Sequence, residues 1–290
     1  MERISRGFRL ARASWSVVAE ERHLLWLPII SMAASLVIVV VFSLGIWGIG
    51  IPEEGESLSP AAWILMFVLY VLLSFVSFFC SAVVIGAATE KMDGREASLR
   101  VGYAAAKAHA GEIFVWSLVN ATVGMLLRAI QERLGILGQL LGGLLGVAWT
   151  VLTFFVVPVM LFEDATAIDA IRRSARLFRE RWGEQFIGAG AIGLAMFVIV
   201  LVVSIPLALF AIAVPVVGIP LFVLAVLAIA AAGSACSGVF NAALYRYAVG
   251  GTAAGVFSRE DLDAAFRPRR GKADDRPPVP PPPPPPPPAP

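Results

Sequence analysis

The chain has 290 residues, of which 58% are hydrophobic and 15% charged, with a formal net charge of +2 and a mean hydropathy of +0.81. That balance lies outside the range of soluble domains, and near-neutrality gives no basis for nucleic-acid binding. Cys80 and Cys236 sit in apolar runs outside any CxxC or Cys/His spacing, so they read as small core residues, and no disulfide, metal or other cofactor is expected.

In chain order, residues 1–23 read as a cytoplasmic amphipathic helix. Ile4, Phe8, Ala11, Trp15 and Val18 share a face, with Arg3, Arg6, Arg9 and Arg12 flanking it. The apolar run from Leu24 is span-length and has no small-residue cleavage site, so this segment is not read as a cleavable signal peptide. A six-span membrane domain is expected over 24–250, with spans at about 24–50, 61–88, 110–130, 135–162, 186–208 and 219–247. The third is the weakest by hydropathy, because Glu112 and Arg128 bracket it closely and must reach opposite interfaces by snorkelling. The last two come from Gln185 to Tyr245, which contains no Asp, Glu, Lys or Arg. As one helix it would run roughly 90 Å against a hydrocarbon core of ~30 Å, so it must fold back. Pro206, Pro215, Gly218 and Pro220 supply the break.

Charge asymmetry sets the orientation. With six spans and both termini cytoplasmic, only Arg128 and Arg133 of the 23 Lys and Arg residues face outward. Without the third span the basic residues divide almost evenly, so six spans are preferred.

Two further basic segments precede spans 3 and 5. Leu99, Tyr103, Ala106, Ala110 and Ile113 share one helical face, and Ile168, Ile171, Ala175, Phe178 and Trp182 another. The second of these carries Arg172, Arg173, Arg176 and Arg179, and opens on a capping-box pattern, Thr166 followed by Asp169. An interfacial helix followed by two spans therefore recurs as a candidate threefold repeat. The functional reading of Arg3, Arg6, Arg9, Arg12, Arg172, Arg173, Arg176 and Arg179 is contact with anionic lipid headgroups or a partner. The plainer reading is that they anchor and orient the bundle.

Within the spans, Gly138, Gly142 and Gly146 form a bare helix face suited to close packing. Ser and Thr can bond to carbonyls of the preceding turn. Asn120 has no such outlet and is expected to bond to a neighbouring helix. Asn120, Thr150, Thr153 and Asn241 are the candidates for lining a polar cavity, and Pro158 for interrupting a span. No Asp, Glu, Lys, Arg or His lies deep in any span, which weighs against proton or ion coupling. No HExxH, GxSxG, P-loop or Rossmann glycine pattern is present, so no enzyme is expected.

Residues 251–276 form a basic cytoplasmic segment with a short helix starting near Ser258. Pro277 to Pro290 form a polyproline tail, either an untuned end or a docking strip for a polyproline-binding protein.

Arg6-Gly7-Phe8 with Trp15, Gly102-Tyr103, Phe154-Phe155-Val156-Val157-Pro158, Arg172-Arg173-Ser174, Trp182-Gly183 and Phe266-Arg267-Pro268-Arg269 carry a resemblance. Over about residues 1–270 the chain resembles an uncharacterised family of bacterial, largely actinobacterial, six-span membrane proteins known only as a domain of unknown function. The resemblance implies a bacterial plasma-membrane location and this topology, with no catalytic residues to carry over. The functional expectation is a non-catalytic integral membrane protein acting through packing, lipid contact or partner recruitment. The alternative is a passive channel or transporter for an uncharged or lipid-like solute.

Overall fold

The computed structural model describes residues 15–49 apart from 17, residues 59–182 and residues 214–250, with isolated positions between 206 and 212. The expected first amphipathic helix with its Arg3, Arg6, Arg9 and Arg12, the span at 186–208, the basic segment 251–276 and the proline tail lie wholly or largely outside the described residues. Among the described residues all regular structure is helical. After a short 3-10 turn at Arg22–Leu25 come α1 (Trp26–Ile49), α2 (Pro60–Met92), α3 (Leu99–Ala108), α4 (Ala110–Arg133), α5 (Gly135–Leu152), α6 (Val156–Glu163), α7 (Ala167–Trp182) and α8 (Pro215–Gly250).

Among the described residues five stretches are long and apolar enough to cross a membrane: His23–Gly45, Pro60–Met92, Ala110–Arg133, Leu137–Glu163 and Val217–Gly250. The third, doubtful on hydropathy, is one unbroken helix of 24 residues. The fourth is not one helix, because the chain leaves helical geometry at Thr153–Phe155 between α5 and α6.

Local chemistry explains where the helices begin and end. Ser59 caps α2 by accepting from the Ala62 N–H at 3.2 Å, and Pro60 occupies the first turn, where its missing N–H costs nothing. Gly94 ends the exit from α2 at φ +78°, a left-handed conformation that favours glycine. Ser98 caps α3 through the Val101 N–H. The second amphipathic segment does not run on to Ile113 as one helix, since it stops at His109, whose φ of −104° lies outside helical geometry.

α2 is the axis of the bundle. α4 runs antiparallel to it, with Phe114 edge-on to Phe75 at 6.0 Å and, ten residues further along α4, Gly124 against the earlier Tyr70 of α2. α8 runs parallel to it, so that Gly238 meets Val84 and Arg246 reaches Asp93 and the Thr89 carbonyl. α3 crosses the C-terminal half of α2 glycine to glycine. A Cβ on Gly86 would stand 3.0 Å from the Gly102 Cα, and one on Gly102 would run into the Val83 carbonyl oxygen.

Small residues share the core with Trp116, Phe155, Ile85 and Met160, and much large aliphatic bulk stands outside. Ala82, Ala87, Ala235 and Ala242 are fully buried, whereas Leu36 (64%), Leu144 (68%) and Leu224 (64%) stand exposed. Small residues inside let helix backbones approach, and large aliphatic residues outside match an apolar solvent. The buried core gathers toward one end, where α3, α6 and α7 pack among the last turns of α2 and α8.

The glycine stripe of α5 packs on α4. A Cβ on Gly138 would meet the Ile130 carbonyl oxygen at 2.6 Å, one on Gly142 the flexible Gln131 side chain, and one on Gly146 only the Leu127 Cδ1 at 3.9 Å. Substitution by alanine should therefore hurt in a fixed order. Gly102→Ala and Gly138→Ala, which collide with backbone, should lose about 1–3 kcal/mol. Gly142→Ala should fall between, and Gly146→Ala should be near neutral. Thermal melting in detergent ranks the four.

Candidate functional site at the break in the fourth span

Pro158 sits in the first turn of α6, where it has no N–H to donate and its ring crowds the carbonyl four residues back, that of Phe154. The break frees three backbone groups inside the protein, and each finds a side chain from another element. The Phe154 carbonyl accepts from Asn241 Nδ2 of α8 at 3.0 Å. The Phe155 N–H donates to Ser174 Oγ of α7 at 3.1 Å, and that hydroxyl donates to the Leu152 carbonyl at 2.7 Å. Ser174 and Phe155 are fully buried. Non-helical backbone survives in an apolar setting only where protein satisfies it in this way.

Beyond α6, Glu163 forms a second joint. Arg173 Nε lies 3.1 Å from both carboxylate oxygens, and the buried Tyr245 hydroxyl donates to Oε1 at 2.9 Å. The same three elements, α6, α7 and α8, thus meet twice. Asp164 closes α6 in the left-handed region at φ 49°, with Oδ1 2.8 Å from His109 Nε2. Glu112 Oε2 accepts the Ala167 N–H at 2.7 Å, a carboxylate at a helix N-terminus. Thr166 and Asp169 form the expected capping contact.

α7 is seated by Ala167, Ala170, Ser174 and Leu177, all buried. That face differs from the expected one, since Ile168 is 46% exposed while Ile171, Ala175 and Phe178 are only partly covered. The small residues win because they allow the close approach that Ser174 needs. Arg172, Arg176 and Arg179 remain exposed. Arg172 pairs with Asp169 at 3.3 Å, and no acidic residue among those described pairs with Arg176 or Arg179.

Of the four polar span residues Thr150 and Thr153 lie on the broken span, and Asn120 of α4 and Asn241 of α8 bond to it. Asn120 Oδ1 accepts from Trp149 Nε1 at 3.1 Å, the inter-helix bond its position predicts, and Trp149 stacks on Trp116 at 5.8 Å. Thr150 and Thr153 donate to carbonyls of their own preceding turn, and Asn241 holds the break. Asn241 Oδ1 and Trp116 Nε1 are buried with no hydrogen-bond partner. Glu163 and Tyr245 were not singled out from sequence; Ser174 entered only within the Arg172-Arg173-Ser174 motif of the resemblance and was given no role, although Ala167, Ala170 and Ser174 form a small-residue spacing along an arginine-rich helix.

Ion pairs complete this end. Lys91 bridges Glu21 at 2.9 Å and Glu20 at 3.2 Å, His23 Nε2 lies 2.8 Å from the Ala97 carbonyl, and Arg95 pairs with Glu90 at 2.7 Å. The hydrogen bond from Lys91 holds the Glu21 carboxyl below its ordinary range.

Among the described residues these features define an all-helical chain with five stretches long and apolar enough to cross a membrane, joined at one end by buried polar contacts. Residues 60–255 match a family described only as of unknown function, DUF6159, and the chain belongs to it. No curated protein and no solved structure matches the chain.

Ser174→Ala strands the Phe155 N–H and frees the Leu152 carbonyl, so it should cost about 1–3 kcal/mol, more than Ser→Ala at an exposed site. Chemical denaturation in detergent measures it. Because the Glu21 carboxyl titrates lower in the folded state, its contribution is present above its unfolded value and is lost as pH falls through the folded one. Melting temperature should drop on acidification, and Glu21→Gln should flatten that part of the profile.

Proposed function

We propose that this is a non-catalytic, six-span protein of the bacterial plasma membrane, both termini cytoplasmic, whose end bearing α7 engages anionic lipid headgroups. The observation that carries the reading is the two-sidedness of α7: one face is seated on the core through Ala167, Ala170, Ser174 and Leu177, and the other presents Arg172, Arg176 and Arg179. Each basic residue near an anionic surface contributes about 1 kcal/mol.

Helix direction supports the sixth span. α7 follows directly on α6 at the end where Lys91 and Arg246 lie, whereas α8 starts at the far end and returns, so a crossing at 186–208 completes the path. Basic residues support the orientation: Arg128 and Arg133 lie at the far end, and Lys91, Arg95, Arg173 and Arg246 at the near one. α3 followed by the hairpin of α4 and α5 forms one instance of the threefold repeat.

A second reading, passive passage of an uncharged or lipid-like solute, draws on the buried, unpartnered Asn241 Oδ1 and Trp116 Nε1, since such groups are costly unless something binds them. Against it stand the intramolecular bonds already made by Asn120, Thr153 and Asn241.

Retention of phosphatidylglycerol by the purified chain tests the first reading. Combined Arg172→Gln, Arg176→Gln and Arg179→Gln substitution should lower it roughly ten- to a hundredfold without unfolding the protein. Unchanged retention defeats the proposal, and so does labelling of a cysteine at position 176 from outside the cell. Solute flux into proteoliposomes that Asn241→Leu abolishes would establish the second reading instead.

A further inference from the structure

At the end of the bundle away from α7, a cleft of about 70 Å³ opens between the start of α2 and the end of α4. Trp63, Met66, Tyr70 and Met125 form its walls, and Arg128 and Glu132 stand at its edge. Gly124 lies against the Tyr70 ring and leaves the floor open. Trp63 and Tyr70 are 40% and 48% exposed, so the aromatic walls face outward. Trp and Tyr favour the headgroup level of a bilayer, and Met adapts to an irregular apolar ligand.

Among the described residues the charged pair is only partly used. Arg128 Nε donates to Glu132 Oε1 at 2.9 Å, one bond among the five donors of a guanidinium and the two oxygens of a carboxylate. Both side chains remain more than half exposed. The terminal guanidinium nitrogens and Glu132 Oε2 therefore present a positive group beside a negative one.

We propose that this cleft is a binding site for a zwitterionic phospholipid with a primary ammonium, phosphatidylethanolamine. Its phosphate meets the Arg128 guanidinium, its ammonium donates to Glu132, and its glycerol and first methylenes lie on Trp63, Met66 and Met125. A cleft of about 70 Å³ holds only a few waters, so it seats a headgroup end and not a whole lipid. A net-anionic headgroup satisfies Arg128 but is repelled by Glu132, and a choline headgroup has no N–H to donate to it. The proposal rests on membrane insertion, not on orientation or on α7.

The full chain is reconstituted in nanodiscs containing equal phosphatidylethanolamine, phosphatidylcholine and phosphatidylglycerol, stripped by dilution, and its retained lipid is quantified by native mass spectrometry. The expected result is preferential retention of phosphatidylethanolamine, lowered about fivefold by Arg128→Gln and by Glu132→Gln separately. Melting temperatures in lipid-free detergent should be unchanged by either. Glu132→Gln should also erase the preference over phosphatidylcholine. Equal retention of the three lipids, or a preference that survives both substitutions, overturns the site. If residues 186–208 cover the cleft instead, a cysteine at 66 is unreactive to lipid-phase probes, which overturns it too. Loss of phosphatidylglycerol on substitution in α7, with phosphatidylethanolamine unaffected by Arg128→Gln and Glu132→Gln, leaves the α7 reading standing while this site falls.

Discussion

In an apolar solvent a backbone N–H or C=O has no partner except protein, and an unmet one costs several kcal/mol. Regular helices meet that demand within themselves. The fourth span cannot, because Pro158 has no N–H and crowds the Phe154 carbonyl. The groups this releases determine the neighbourhood of the break: Ser174 bridges the Leu152 carbonyl and the Phe155 N–H, and Asn241 takes the Phe154 carbonyl. α7 and α8 are thus placed against α6 by specific bonds, where apolar contact alone would leave them free to slide. In lipid this matters more than in water, since tails compete with apolar side chains for the same surfaces.

Size sorting answers the same problem. With no hydrophobic drive between spans, helices gain by approaching closely enough for backbone contact, and only Gly and Ala permit it. Gly102 lies on the backbone of α2, and Gly138 on the carbonyls of α4. The leucines of α5 that flank its glycines, Leu137, Leu140 and Leu144, are left outside. The two choices belong together: one helix face approaches a neighbour because the other carries the bulk.

Much of this was legible in the sequence, and the omissions have physical reasons. Uncharged runs located the five spans that the described residues contain, because length and hydropathy are properties of a segment alone. Asn120 was legible as an inter-helix donor or acceptor, since a mid-span amide cannot satisfy itself locally. The behaviour of Thr150 and Thr153 followed from helix geometry. Ser174 was not legible: as a hydroxyl on a helix it looks self-satisfied, and its partners lie 19 and 22 residues away across a turn. The seated face of α7 was misread for a related cause. Periodicity weights Ile168 and Phe178 by hydrophobicity, whereas close approach selects Ala167, Ala170 and Ser174 by smallness. The break itself was visible only as Pro158, and Asn241, which holds it, was legible as a polar span residue but not as its partner.

The two polar joints together constrain more than either could alone. Ser174 fixes one point of α7 against the break, about which the helix could still turn. Arg173, its neighbour in sequence, fixes another on Glu163, at the far end of α6. Tyr245 and Asn241 place α8 on the same two levels, four residues apart along one helix face. Contacts at the break and at Glu163 seat α7 through Ser174 and Arg173, so the side on which Arg172, Arg176 and Arg179 stand is set by the protein interior. A basic face held in place by buried bonds loses less side-chain and helix freedom on meeting a surface than one ordered by that surface, and preorganisation of this kind lowers the entropy cost of contact. The break in the fourth span and the arginines on α7 are therefore linked through one buried side chain, Ser174, which bonds the break and seats the helix that carries them.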